Sequence, residues 1–166
     1  MDVGEPVRWL SASEQRAWRA FLEAGQLVFD GLDRQLQRDA GISHADYEIL
    51  ARLSEAPDQH MRMSELAERA LFSRSRLSHA VVRLEGAGLV QRETCPTDRR
   101  GTFAVLTPRG RQAVEAAAPG HAAAVRRLVF DRLEPSQVAQ LDRISTVLRQ
   151  AASAERERPE PQPRPA

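Results

Sequence analysis

The chain has 166 residues, 42% of them hydrophobic, which suffices for one domain with a hydrophobic core. No stretch approaches the roughly eighteen apolar residues of a membrane-spanning helix, and the first residues lack the pattern of an export signal, so we expect a cytoplasmic protein. The single cysteine, Cys95, excludes an internal disulfide and is a poor start for a metal site.

The overall charge of +1 hides a segregation along the chain. Residues 1–60 hold 6 Arg against 11 acidic residues, a balance of −5, whereas residues 61–111 hold 10 against 5, a balance of +5. Residues 112–166 hold 8 against 7, a balance of +1. A basic middle in a nearly neutral chain suggests that one surface meets a polyanion.

Two helices are predicted in the first third of the chain. Ser11 and Glu14 form a capping-box pair and Gly41 is a typical stop, so the first helix spans residues 11–41. Its apolar positions recur at steps of three and four residues: Trp18, Phe21, Leu22, Val28, Phe29, Leu32 and Leu36. Ser43 starts a second helix. The buried face of that helix consists of Tyr47, Leu50 and Leu53.

A helix-turn-helix is predicted after a polar loop at residues 57–60. Ser64 caps a short helix, and after a break at Phe72 and Ser73 a second helix runs over residues 74–87 to Gly88. The inward positions are Leu66, Ala67, Ala70 and Leu71 in the first helix and Leu77, Val81 and Leu84 in the second. A short connection between two helices, the second presenting Arg, Ser and His outward, is typical of this motif.

A β-hairpin follows, which we interpret as a wing. Residues 89–94 lose the helical period, and residues 102–107 alternate as a paired strand should. Between them, residues 95–101 form a turn-rich tip that carries Arg99 and Arg100. A tip with two arginines beside a basic helix is placed to enter a flanking minor groove of DNA.

The last third of the chain is predicted to be helical. Thr107 and Pro108 start a helix that Pro119 and Gly120 should interrupt or kink. Pro135 opens a last helix. The inward stripe of that helix consists of Val138, Leu141, Ile144 and Leu148. The proline-rich, charged end of the chain is predicted to be disordered.

The sequence lacks the motifs of an enzyme. There is no glycine-rich phosphate loop, HExxH pair, CxxC pair or nucleophile elbow. The histidines are scattered, at His44, His60, His79 and His121. We therefore predict no catalytic residues, no cofactor and no metal; an enzyme, as a third interpretation, would require a cleft with perturbed titrating groups.

The main functional signal is the outward face of the second helix of the motif. Arginine there can donate with a planar fork to guanine N7 and O6 or to phosphates. Any one of these residues could belong to an ordinary solvated face, yet no acid lies between Ser73 and Leu84 to pair with the arginines. The predicted DNA-binding residues are Ser73, Arg74, Ser75, Arg76, Ser78, His79, Arg83, Asp98, Arg99 and Arg100. Asp98 is interpreted as the partner that orients a tip arginine. The alternative is a winged-helix module whose basic face binds an acidic protein.

The wing and the helix-turn-helix resemble those of the MarR family of bacterial regulators. Residues 98–107 fit the family's D-x-R-x-x-x-x-x-L-T wing pattern, and residues 64–67 and 84–90 are similar to its helix-turn-helix. The resemblance covers residues 11–150. It implies a homodimer built by the first and last helices, binding to a pseudo-palindromic operator in double-stranded DNA, repression as the usual outcome, and release by a small molecule or an oxidant.

Two further expectations concern the terminal helices. Their apolar stripes are long for one small module to cover, which agrees with pairing to a second copy. The predicted ligand pocket consists of Trp18, Phe21, His44 and Tyr47, although aromatic residues at helical spacing are more often core. Cys95 is interpreted as a hairpin residue rather than as a thiol sensor, because the family's thiol sensors carry their cysteine near the first helix.

The predicted fold is mainly α with a small β-hairpin wing, a winged helix-turn-helix with terminal dimerisation helices. The predicted divisions are an N-terminal extension (1–10), a dimerisation helix (11–41), a DNA-binding region (42–107), C-terminal dimerisation helices (108–152) and a disordered tail (153–166).

Overall fold

The computed structural model describes residues 7–95 and 98–157. The helices of this part are α1 (Ala12–Ala40), α2 (His44–Glu55), α3 (Met63–Arg69), α4 (Arg74–Gly86), α5 (Pro108–Leu128) and α6 (Pro135–Glu157). The strands are β1 (His60–Arg62), β2 (Val90–Cys95) and β3 (Asp98–Leu106), which form one antiparallel sheet in the order β1-β3-β2. The fold class predicted from the sequence is confirmed. None of the helices described is apolar over a length that would span a membrane.

The chain divides into two compact units, Met1–Val125 and Arg126–Ala166. The first unit holds a core to which α2, α3, α4, the sheet and α5 all contribute. The largest side chains buried in it are Leu36, Ile49, Leu50, Leu53, Leu66, Leu77, Val81 and Val90. Burial of these apolar side chains fixes how the helix-turn-helix sits on the sheet.

The caps predicted for α1 form as the sequence indicates. The Glu14 N–H donates to Ser11 Oγ at 3.3 Å, and the Ser11 N–H donates to Glu14 Oε2 at 2.7 Å. These hydrogen bonds lower the pKa of Glu14 below its usual value. Gly41 ends the helix with φ +68°, a conformation that glycine adopts without steric cost.

The start of the helix-turn-helix differs from the prediction in two respects. Residues 60–62 form β1, where a loop was expected, and pair with Phe103–Val105 of β3. A three-residue edge strand is too short to display the alternation that identifies a strand. Because β1 leads directly into α3, the helix begins at Met63 after Arg62, and Ser64 is not its cap.

The turn between α3 and α4 corrects one predicted core position. Leu71 has φ +56° and is 66% exposed, because it belongs to this turn and not to the buried face of α3. Ser73 caps α4 by accepting a hydrogen bond from the Arg76 N–H at 3.2 Å. The helix ends at Gly86, and Gly88 turns the chain with φ +71°.

Other boundaries move by a few residues. The hairpin strands extend into the predicted tip, so that Cys95 pairs with Asp98 in the sheet, after a register shift next to Thr94. Of the two effects predicted for Pro119 and Gly120, an interruption is wrong, because α5 continues through Pro119, and a kink stays a prediction. Likewise, α6 reaches Glu157, so the first residues of the predicted disordered tail are helical; residues 158–166 lie outside the described part.

Candidate nucleic-acid interface

The outward face of α4 is positioned by the burial of its other face. Leu77, Ala80, Val81 and Leu84 pack into the core, which leaves the remaining positions at the surface. The exposed members of the predicted DNA-binding set on this element are Ser73, Arg74, Ser75, Arg76, Ser78, His79 and Arg83. The structure therefore brings the helical part of the set together on one surface.

Two arginines of this face are available to a ligand. Within the part of the chain that the structure describes, neither Arg74 nor Arg76 forms an ion pair with an acidic side chain. The Arg76 guanidinium lies 4.1 Å from the centroid of the Phe72 ring. A cation–π contact of this kind restricts the rotamers of a long side chain and leaves its N–H groups free to donate at the edge.

Arg83 corrects one argument from the sequence. Its Nη2 atom lies 2.8 Å from Asp46 Oδ1, although no acid was expected to pair with the arginines of this helix. The acid comes from the first turn of α2, so local spacing could not reveal it. The side chain of Arg83 remains 59% exposed, at the edge of the α4 surface.

At the tip of the wing, the structure describes only the backbone. Asp98, Arg99 and Arg100 are the first residues of β3, and their side chains lie outside the described part. The interpretation of Asp98 as an orienting partner, and of the two arginines as minor-groove ligands, stays a prediction. The same holds for the interpretation of the Cys95 thiol.

A basic recess adjoins the α4 surface and was missed at the sequence level. Its volume is about 370 Å³, and it is lined by Arg62 of β1, Arg74 and Ser78 of α4, and Arg92 and Thr102 of the hairpin, among others. Arg92 makes two contacts with Glu85 Oε2, from Nη2 at 2.7 Å and from Nε at 2.9 Å. These contacts lower the pKa of Glu85 below its usual value.

An aromatic cluster joins α1, α2 and α5. The His121 ring centroid lies 4.5 Å from that of Tyr47 and 5.8 Å from that of His44, and His44 lies 5.7 Å from Phe29. His121 Nδ1 is buried and has no hydrogen-bond partner in the described part. Burial, and secondarily His44, lower the pKa of His121, whereas Glu48 opposes this effect. Burial also raises the pKa of the Tyr47 hydroxyl.

In a single chain, the four residues of the predicted ligand pocket form two separate pairs. His44 and Tyr47 meet through His121, which was not predicted to join them. Trp18 and Phe21 stack on each other, with ring centroids 6.0 Å apart. Phe21 precedes Phe29 by about 12 Å along the helix axis, at ~1.5 Å per residue. One group therefore lies at the contact of three helices, and the other lies on the exposed surface of α1.

Both terminal helices expose large apolar side chains. On α1 these are Trp18, Phe21, Leu22, Leu27 and Phe29. On α6 they are Leu141, Ile144, Val147 and Leu148. The stripe of α6 that was expected to face inward is thus open in the single chain, with Ile144 58% exposed. Among the described residues, no three His, Cys, Asp or Glu side chains converge as a metal site would require.

Comparison with known proteins agrees with this architecture. A model of the MarR family matches residues 40–101. The crystal structure of Sco3205, a MarR family transcriptional regulator from Streptomyces coelicolor in complex with DNA, is 50% identical over 95% of both chains, with a TM-score of 0.85. AbsC from the same organism is 45% identical over 92% of this chain and 100% of its own, with a TM-score of 0.83. The transcriptional regulator MhqR of Bacillus subtilis is 28% identical over 61% of this chain and 68% of its own. Half of the residues are thus shared with one relative over nearly the whole length, and the chain belongs to the MarR family of transcriptional regulators.

Proposed function

We propose that the protein is a homodimeric repressor that binds a pseudo-palindromic operator in double-stranded DNA and is released by a small-molecule effector. The observation that carries this proposal is the exposed cationic face of α4, on which Arg74 and Arg76 have no acidic partner within the described residues. The DNA complex of Sco3205, with its 50% identity, supports duplex DNA as the ligand. Repression is the usual outcome in the family that the sequence resembles.

The chemistry of this face suits the major groove. A helix of this length fits the groove, and arginine can bind guanine through both N7 and O6, whereas Ser75, Ser78 and His79 can donate to bases or phosphates. Ser73 is already engaged as the cap of α4, so its contribution is to present the start of the helix. Arg83, which Asp46 holds at 2.8 Å, is the residue that we propose to contact DNA at the edge of the interface.

DNA binding is tested with Arg76→Ala and Arg100→Ala. We expect each substitution to weaken binding to the promoter region beside the protein's own gene by roughly 5- to 100-fold, since each removes a charged donor to the duplex. Binding is measured by fluorescence anisotropy at fixed salt, with Arg8→Ala as the control, because Arg8 is an exposed arginine outside the predicted dimerisation and DNA-binding segments. Unchanged affinity for DNA in both variants would contradict the proposal. If the wild-type protein binds an acidic protein but no duplex DNA at low salt, the alternative of a winged-helix protein-interaction module is favoured.

Dimerisation is supported by the exposed apolar faces of α1 and α6. Soluble monomers rarely leave contiguous stripes of Trp, Phe, Leu and Ile in water, and burial against a second copy is the route that we propose for each of them. Residues 11–41 and 108–152 are accordingly the proposed dimerisation segments, and residues 42–107 the DNA-binding region. Two copies of α4 would lie about 34–36 Å apart, one turn of the duplex, as a pseudo-palindrome requires.

The proposed effector site is the cluster of His44, Tyr47 and His121, with the Trp18 and Phe21 pair joining it only if the second copy brings them near. The cluster connects the dimerisation helix α1 with α2 of the DNA-binding region, so we propose that a ligand bound there changes the position of α2 relative to α1. Aromatic walls and a buried imidazole nitrogen without a partner among the described residues suit a planar aromatic acid.

The effector site is tested by titrating the DNA-bound protein with a panel of planar aromatic acids, beginning with benzoate. We expect at least one of them to dissociate the complex, and His121→Ala to raise the concentration required by about tenfold or more, because the ligand loses its buried polar partner. The control is His60→Ala, because His60 lies in β1 against Phe103 and belongs neither to the cluster nor to the predicted DNA-binding residues. A panel that releases wild type and His121→Ala at equal concentrations would locate the effector site elsewhere.

A further inference from the structure

The basic recess beside α4 has the composition of an anion site. Its lining includes three guanidinium groups, from Arg62, Arg74 and Arg92. It also includes three hydroxyl groups, from Ser64, Ser78 and Thr102. No acidic side chain of the described residues belongs to the lining, although Glu85 binds Arg92 from beside it, and each of the three hydroxyl groups can donate.

The start of α4 adds to this field. Arg74 is the first residue of the helix, and the first turn contains no acidic side chain. The unpaired N–H groups and the dipole of a 13-residue helix attract an anion at that end. A phosphate has several acceptor oxygens, so it can accept hydrogen bonds from the arginine and hydroxyl groups at the same time, which a single carbonyl oxygen cannot do.

Two of the arginines are held in place before any ligand arrives. Glu85 binds Arg92 through Oε2, and through Oε1 it accepts a hydrogen bond from the Arg92 N–H at 3.3 Å. The Arg62 guanidinium lies 5.3 Å from the centroid of the Phe103 ring. Side chains that are already restricted lose less rotamer entropy when they bind, which favours a specific contact over a diffuse one.

We propose that this recess binds a backbone phosphate of the operator duplex, with Arg92 and Arg74 as its principal ligands. The inference rests on the proposed function and extends it from the exposed face of α4 to the sheet. Arg74 and Ser78 belong both to the α4 surface and to the recess, so DNA that α4 reaches presents its backbone there. The contact is independent of sequence and sets the register of α4 on the duplex.

The test is the salt dependence of operator binding by the full-length protein. Each lost phosphate contact flattens the plot of log affinity against log salt by about 0.9. We expect Arg92→Gln to lower the magnitude of this slope by about 0.9 for each bound subunit and to reduce operator affinity about tenfold at moderate salt. The ratio of operator affinity to random-duplex affinity should stay unchanged, because a phosphate contact does not read the sequence. Arg92→Lys should recover most of the slope, because lysine still binds phosphate as a point charge.

The control is Arg8→Gln, which removes the same charge from an exposed arginine that lies outside the proposed dimerisation and DNA-binding segments. Its slope should equal that of wild type. Thermal unfolding of each variant separates loss of the contact from loss of the fold, and Arg74→Gln gives a second measurement from another element. A wild-type slope in both Arg92→Gln and Arg74→Gln, with wild type binding its operator, would overturn the phosphate assignment and leave the proposed function intact.

Three other outcomes distinguish failure of the phosphate assignment from failure of the proposed function. If Arg92→Gln changes the ratio of operator affinity to random-duplex affinity, Arg92 contacts a base, and this result would also overturn the phosphate assignment. If Arg92→Gln weakens binding of inorganic phosphate, measured at constant ionic strength, but leaves duplex affinity and slope unchanged, the recess serves a free anion and not DNA. A wild type that binds no duplex at low salt would overturn the proposed function itself, and the DNA assignment with it.

Discussion

Replacing Ile144 with glutamate is expected to convert the protein into a monomer and to weaken operator binding by about a hundredfold or more. Ile144 lies in the middle of the apolar stripe of α6 and is 58% exposed in the single chain. If a second copy covers this stripe, the substitution buries two carboxylates near a twofold axis without partners. Each uncompensated charge costs about 3 kcal/mol or more, and about 1.4 kcal/mol corresponds to a factor of ten.

The oligomeric state is measured by sedimentation equilibrium, and operator affinity by anisotropy on the same samples. Ala139→Glu is the matched control, because Ala139 is exposed on another side of α6 and receives the same charge on the same helix. It should leave both the mass and the affinity unchanged. If the Ile144→Glu variant stays dimeric at micromolar concentration, the α6 stripe is not the interface, and the proposed twofold pairing would then require another surface.

Replacing Gly110 with alanine is expected to destabilise the DNA-binding region by about 3 kcal/mol and to lower Tm by roughly 10 °C. Gly110 lies in the first turn of α5, where an added Cβ would collide with the carbonyl oxygen of Leu89 and would lie 2.7 Å from Leu106 Cδ1. The Leu89 carbonyl cannot move freely, since it accepts a hydrogen bond from the Thr107 N–H at 3.1 Å. The start of α5 must therefore shift away from the hairpin.

Thermal unfolding followed by circular dichroism measures this effect. Gly86→Ala is the control, because a Cβ at Gly86 meets no atom within 4 Å and the residue is helical. Alanine there should be neutral or slightly stabilising, since it restricts the unfolded chain. Equal Tm values for the two variants would mean that α5 and the hairpin do not approach as closely as the structure indicates.

Elements whose signals are local were predictable. Ser11, Glu14 and Gly41 mark the ends of α1 because capping depends on residues only a few positions apart, and Ser43 and Pro135 mark helix starts for the same reason. The wing pattern that ends in Leu106 and Thr107 indicates the MarR family from the amino-acid sequence alone, and that prediction is confirmed.

Features that depend on residues distant in sequence were not predictable. Arg83 pairs with Asp46, 37 residues away, and His121 meets His44 from a different helix. Arg92 belongs to the basic recess only because β2 packs beside α4, and β1 exists only because β3 is there to pair with it. No spacing rule connects such residues, since the core alone decides which faces meet.

The amino-acid sequence by itself determined the helices, the wing, the family and the cationic character of α4, because each is encoded within a few turns of chain. Only the tertiary structure decided which arginines are paired with carboxylates. It paired Arg83 and Arg92 with carboxylates, left Arg74 and Arg76 without acidic partners among the described residues, and exposed the apolar stripes of α1 and α6. The physical reason is that pairing and burial are settled by packing between elements, whereas helix and strand formation is largely settled within them.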